Sequence, residues 1–189
     1  MIENIKKLAE NYFSEIVSFR RHLHKYPELS FKEYKTSKYI KSILESWNIE
    51  YTDSYVETGI LAIVKGKNPN KNCIAIRADF DALPIQEEND VEYASVNKNV
   101  MHACGHDVHT SSMLGALKII NELKDSFEGT IKFIFQPAEE IIPGGAKQMI
   151  EEGVLENPNV NNIFAQHVFP DLEVGKVGFK PGMYMASTD

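Results

Sequence analysis

Four short apolar runs constrain this chain most: GILAIVKG over residues 59–66, CIAIRAD over 73–79, TIKFIF over 130–135 and NIFAQH over 162–167. Each is rich in β-branched or aromatic residues and is bounded by turn-forming ones, the pattern of a buried strand. Apolar residues at helical spacing stand between them. Ile2, Ile5, Leu8, Ala9, Tyr12, Phe13, Ile16, Val17 and Leu23 predict a helix over residues 2–25, stopped by Pro27. Tyr39, Ile40, Ile43, Leu44 and Trp47 predict a second helix from Tyr34 to Trp47. Met113, Leu114, Ala116, Leu117, Ile120 and Leu123 predict a third over 107–123, and Ala146, Met149, Ile150 and Val154 a fourth from Gly144 to Leu155. Residues 174–179 predict a further strand. Helices alternating with apolar strands predict a three-layer α/β fold, a mostly parallel sheet with helices on both faces. NPNKN at 68–72 reads as a hairpin loop joining the first two strands, which would add an antiparallel part.

Composition narrows the class. The 189 residues, 43% of them hydrophobic, suffice for one α/β domain and are marginal for two. A formal net charge of −7 argues against a nucleic-acid partner, which needs clustered Lys and Arg on phosphates. The N-terminal MIENIKKLAENYF carries Glu and Lys within its apolar spacing, unlike the uninterrupted apolar core of a signal peptide. No stretch approaches the roughly 20 apolar residues of a membrane span. The expected location is the cytoplasm. Cys73 and Cys104 make no disulfide framework, and Cys73 reads as a small buried hydrophobe.

Candidate chemistry lies at the ends of the apolar runs. MHACGHDVH at 101–109 carries a thiol and imidazoles, FQPAEE at 135–140 two carboxylates, and QHV at 166–168 one more imidazole. These are the donors a borderline divalent metal prefers, and strand ends are where α/β enzymes place their sites. Cys104 and His106 stand at i and i+2, so an extended chain would point both to one side; the bland alternative is a buried spacer beside a helix start. Glu139 and Glu140 are neighbours, so only a turn aims both inward, as one ligand and one general base. Alone they would read as a solvated acidic turn opening toward a helix. His167 ends a strand, where a lone histidine is more often a core residue. Asp79 and Asp81 flank Phe80: they support an imidazole ligand from behind, or are turn residues before Pro84. His22, His24, Pro27 and Glu28 read as structural. His102 and His109 stay open between a supporting role and a plain structural one.

Taken in order, RRHLHKYPELSFKE, RADFDALP, MHACGHDVHT, FQPAEE with a following GGA, and QHV closely resemble the aminoacylase/carboxypeptidase superfamily of two-metal metallopeptidases. The branch they resemble holds hippurate hydrolases, N-acyl-amino-acid amidohydrolases (including N-acetyldiaminopimelate deacetylases) and auxin-conjugate hydrolases. The resemblance implies a zinc-peptidase type α/β fold and hydrolysis of an N-acyl amino acid to a carboxylate and the free amino acid. It implies two divalent ions, manganese or zinc, with cobalt or nickel as alternatives. Cys104, His106, Glu140 and His167 would be metal ligands, Glu139 the general base, and Asp81 a supporting active-site acid. Cys104 would act as ligand and not as nucleophile; a cysteine hydrolase built on Cys104 is the rival reading, and an inactive metal-binding half-domain another. Family members run to about twice this length. Residues 1–185 would be the first part of the catalytic domain, and 186–189 the start of an inserted lid or dimerisation domain. The part beyond would supply one further histidine ligand and a lid histidine, so this chain alone should turn over poorly. A small-molecule substrate, no membrane, and pairing of full-length chains complete the expectation.

Overall fold

The computed structural model describes residues 1–182. Among them are four α-helices, α1 (Ile2–Lys25), α2 (Tyr34–Ser46), α3 (His106–Glu122) and α4 (Gly145–Glu151), and five strands. The strands are β1 (Glu50–Tyr55), β2 (Gly59–Lys65), β3 (Cys73–Asp79), β4 (Thr130–Gln136) and β5 (Asn162–Ala165). They form one sheet in the order β1-β2-β4-β3-β5. β3 pairs in parallel with both β4 and β5, while β2 is antiparallel to β1 and β4. The expected α/β architecture with parallel strands at its core is therefore met.

Two faces of the sheet are covered, as the alternation of side chains along each strand requires. Ile60, Ala62 and Val64 of β2, Phe133 and Phe135 of β4 and Ala78 of β3 meet Ile40 and Leu44 of α2 and Met113, Leu114 and Leu117 of α3. On the other face Leu61, Ala75 and Ile134 meet Met149 and Val154. Lys132, fully buried on that second face, donates from Nζ to the carbonyl of Val154 at 3.1 Å. Its stem fills the core and its head ties the chain after α4 to the sheet.

Three expectations are corrected. Residues 68–72 are not a hairpin loop: β4 lies between β2 and β3, and the loop crosses over it. Gly66 and Gly129, and Lys67 and Phe127, are joined by backbone bonds of 2.9 Å that hold this crossing to the start of β4. The antiparallel hairpin is instead β1–β2, and β1, EYTDSY, went unforeseen because it has no apolar run. The fourth helix is shorter than 144–155, ending at Glu151 and continuing as turns. Residues 174–179 form no strand; among the described residues no strand lies beside them to satisfy their backbone groups, and they run exposed and irregular. The segment 186–189, read as the start of an inserted domain, lies outside the described residues. No helix among those described is long and apolar enough to cross a membrane.

Candidate metal centre

The parallel part of the sheet places the chemistry. β3 ends at Asp79, β4 ends at Gln136 just before Glu139 and Glu140, and β5 ends just before His167, so all three strands deliver their acids and imidazole to one edge. The fourth contribution comes from the start of α3. Leu83 and Met101 exchange two backbone hydrogen bonds of 3.0 Å, which lays the segment carrying Cys104 and His106 beside Asp81. That segment is not extended. Gly105 caps α3 with φ +83°, a left-handed turn that turns His106 inward while leaving Cys104 at the rim. Cys104 and His106 are thus brought together by a turn and not by strand alternation.

His106 is the centre of the constellation. Its ring is 1% exposed, and Nδ1 lies 3.1 Å from Asp81 Oδ1. Asp81 is itself held by Ser30 Oγ at 2.6 Å and by the backbone N–H of Glu140 at 3.0 Å. Burial works against ionising Asp81, but hydrogen bonds from His106, Ser30 and the backbone of Glu140 and Glu139 win and hold its carboxyl below the ordinary range. The other nitrogen of His106, Nε2, is buried without a hydrogen-bond partner, and so is Oε1 of Glu140. These two atoms face each other at 3.7 Å, with Glu139 Oε2 3.8 Å from the same nitrogen. Both carboxylates point inward because the chain bends at Ala138, whose φ is +50°. Cys104 Sγ sits 3.4 Å from His167 Nε2, although His167 is exposed. Ligand atoms of Cys104, His106 and His167, and of His106, Glu139 and Glu140, lie within 4.8 Å of one another in each set.

All six residues singled out from the sequence therefore converge: Cys104, His106, Glu139, Glu140, His167 and Asp81. The structure also places Asp79 and His109, which the sequence left open. Asp79 and His109 form a buried pair, Nδ1 to Oδ1 at 2.7 Å, and Arg77 Nη1 reaches the other Asp79 oxygen at 2.6 Å. Burial opposes the Asp79 charge, yet His109 and Arg77 outweigh it and hold the carboxyl at about 2. His109 stands one helical turn from His106 on the same face of α3, and that spacing is the signal that could have placed it. Glu33 had no such signal; it is buried, and its carboxylate accepts from the backbone N–H of Ala138 at 2.8 Å. His24 is structural as expected, joining α1 to α3 through Asp107 Oδ2 at 2.7 Å.

The donors fit divalent metal. Two buried polar atoms without partners converge on one point, and a second imidazole and a thiol stand beside it, surrounded by acids. In protein alone this leaves polar groups unsatisfied and like charges adjacent, and a cation answers both. The Asp79–His109 pair is already committed to its own hydrogen bonds and is the poorer candidate for ligation. Burial first, then Glu140, push the Cys104 thiol up to about 12. That is the reverse of what a thiolate nucleophile needs, and a neighbouring cation would reverse it.

Comparison with known proteins agrees with this geometry. Residues 75–186 match the model of Peptidase family M20/M25/M40. The chain belongs to this family. It is 44% identical over 187 residues to the N-acyl-L-amino acid amidohydrolase of Geobacillus stearothermophilus, covering 99% of this chain and 50% of that one. It is 46% identical over 179 residues to the N-acetylcysteine deacetylase of Bacillus subtilis, covering 94% and 46%. A solved Bacillus subtilis structure described as a dinuclear metal binding peptidase from the M20 family superposes with a TM-score of 0.85 at 45% identity, covering 90% of this chain and 47% of that one. The chain spans about half the length of the curated relatives it matches.

Proposed function

We propose that this chain carries most of the metal site of an amidohydrolase that cleaves the amide bond of N-acyl amino acids, such as N-acetyl or N-benzoyl derivatives. The single observation that carries the reading is the buried, unpartnered His106 Nε2 facing the unpartnered Glu140 Oε1 at 3.7 Å. Cys104, His106, Glu140 and His167 would hold two divalent ions, manganese or zinc. Those ions, when bound, supply Lewis acidity to the acyl carbonyl and make water acidic enough to deprotonate near neutral pH.

The remaining work falls to the protein. Asp81 holds Nδ1–H of His106 and so presents Nε2 to the site, the arrangement by which a carboxylate orients a ligand imidazole. Glu139, the more exposed of the two acids, is free to act as base. Its carboxylate takes a proton from the attacking water as the new C–O bond forms. It passes that proton to the nitrogen as the C–N bond breaks, giving a carboxylate and a free amine. The open edge of β5 supports a larger catalytic domain: Ile163 and Phe164 are 53% and 59% exposed on this edge strand. We read residues 1–185 as the first part of such a domain, acting in the cytoplasm.

The test is metal content of the purified chain after chelation and reloading with manganese or zinc, beside Cys104→Ala. Close to two ions per chain, with loss in the variant, supports the reading. No specific metal, or unchanged metal in Cys104→Ala, overturns the ligand set. Hydrolysis of N-acetyl and N-benzoyl amino acids by a chain of the relatives' length tests the substrate class.

A further inference from the structure

Beyond β5 the chain leaves regular structure, and residues 166–169 are exposed. Yet His167 Nε2 is brought to 3.4 Å from Cys104 Sγ. Two contacts of the next residue account for this. The backbone N–H of Val168 donates to His109 Nε2 at 3.0 Å. Val168 also packs against the Gly105 turn so closely that a Cβ at Gly105 would meet Val168 Cγ2 at 2.4 Å.

The first contact comes from a residue fixed at its other end. A backbone N–H only donates, so Nε2 of His109 is the acceptor and its ring proton resides on Nδ1. Nδ1–H in turn donates to Asp79 Oδ1 at 2.7 Å. Asp79 is held by Arg77, whose Nε donates to Gln136 Oε1 at 2.7 Å. A chain of hydrogen bonds thus runs from the ends of β4 and β3, through Asp79 and His109, to the backbone beside His167. His109 is 1% exposed and its ring lies 4.6 Å from that of His167, crossed at 67°. Both of its nitrogens are used, so it cannot bind a metal without releasing one of these partners.

We propose that His109 is a positioning residue: through the Val168 N–H it fixes the exposed segment after β5 and so delivers His167 to Cys104. This rests on the metal-site reading above for its consequence, though not for its geometry. An imidazole suits the place because one planar ring donates at one end and accepts at the other.

The test uses the 189-residue chain and two variants that split the ring's bonds. His109→Asn keeps a donor near Nδ1 for Asp79 and loses the acceptor for Val168; His109→Gln keeps an acceptor near Nε2 and loses the donor. Amide hydrogen exchange at Val168, measured without metal, should show protection in the wild type and in His109→Gln and lose it in His109→Asn. Cobalt titration should show affinity about 10- to 100-fold weaker in His109→Asn. The loss should match that of His167→Ala and should not grow in the double variant. Val168 protection retained in His109→Asn overturns the proposal. So does wild-type cobalt affinity in His109→Asn when His167→Ala has lost it. If His167→Ala binds cobalt as the wild type does, the metal-site reading fails instead, and the Val168 exchange alone decides the placement. Should His109→Asn not fold, loss of Val168 protection in a folded His109→Gln overturns the proposal by itself.

Discussion

Glu33 and Ala138 are 105 residues apart in sequence, yet Glu33 Oε1 accepts the Ala138 N–H at 2.8 Å inside the protein. Glu33 Oε2 accepts from Thr58 Oγ1 at 3.1 Å. The carboxylate therefore braces the left-handed bend that turns Glu139 and Glu140 inward. Glu33→Ala leaves the buried Ala138 N–H without a partner and should cost about 1–3 kcal/mol. Denaturant unfolding of the two chains measures it; a difference near zero would show that the bend stands unaided.

The same residue gives a pH dependence. Burial raises the Glu33 carboxyl above its ordinary value of 4.5, against the hydrogen bonds from Ala138 and Thr58, and the Asp81 charge adds to the rise. The folded chain thus keeps a proton that the unfolded chain loses first. Stability from Glu33 is fully present below 4.5 and is lost as pH rises through the raised value. Glu33→Gln keeps an acceptor and does not titrate. The stability of the wild type relative to Glu33→Gln should fall as pH rises from 4.5 through the raised value. A flat difference over that range would contradict it.

Asp81 gathers His106 Nδ1, Ser30 Oγ and the Glu140 N–H on one buried carboxylate. Asp81→Ala should weaken metal binding by about 10- to 100-fold, because His106 loses the group that orients it. Asp81→Asn, which retains an oxygen acceptor, should lose less. Equal metal affinity in wild type and Asp81→Ala, by competitive titration, would remove Asp81 from the site's support.

Gly105 adopts φ +83° and its α-carbon faces Val168 Cγ2, 2.4 Å from where a Cβ would stand. Gly105→Ala should lower stability by about 1–2 kcal/mol from the left-handed backbone alone. Displacement of Val168 should also weaken metal binding. Paired unfolding and titration experiments check both, and unaltered metal affinity would mean that the segment after β5 tolerates the shift.

Glu139 Oε2 stands 3.8 Å from His106 Nε2 with 42% of its side chain exposed. In a chain of the relatives' length, Glu139→Gln should retain metal while losing about 10²- to 10⁴-fold in turnover. Near wild-type rates with full metal content would assign the base elsewhere.

Much of this architecture was legible in the chain itself. β2, β3 and β4 announced themselves because strands covered on both faces carry nearly continuous apolar runs, and α1, α2 and α3 because one buried stripe recurs at helical spacing. The candidate site residues stood out because thiol, imidazole and carboxylate cluster at the ends of the apolar runs, while their separate roles were implied only by the family resemblance. The order of the strands was not legible. Pairing is a choice among partners, and local pattern does not say that β4 enters between β2 and β3, so the loop at 68–72 read as a hairpin. β1, with its polar composition, is made a strand by pairing with the edge of β2. Tertiary structure likewise decided that Asp79 belongs to His109 and Asp81 to His106, and that Glu33 braces Ala138. Those contacts join segments far apart in the chain. Spacing along a sequence carries the period of a helix or strand, but the distance between two side chains on different elements exists only after the elements have packed.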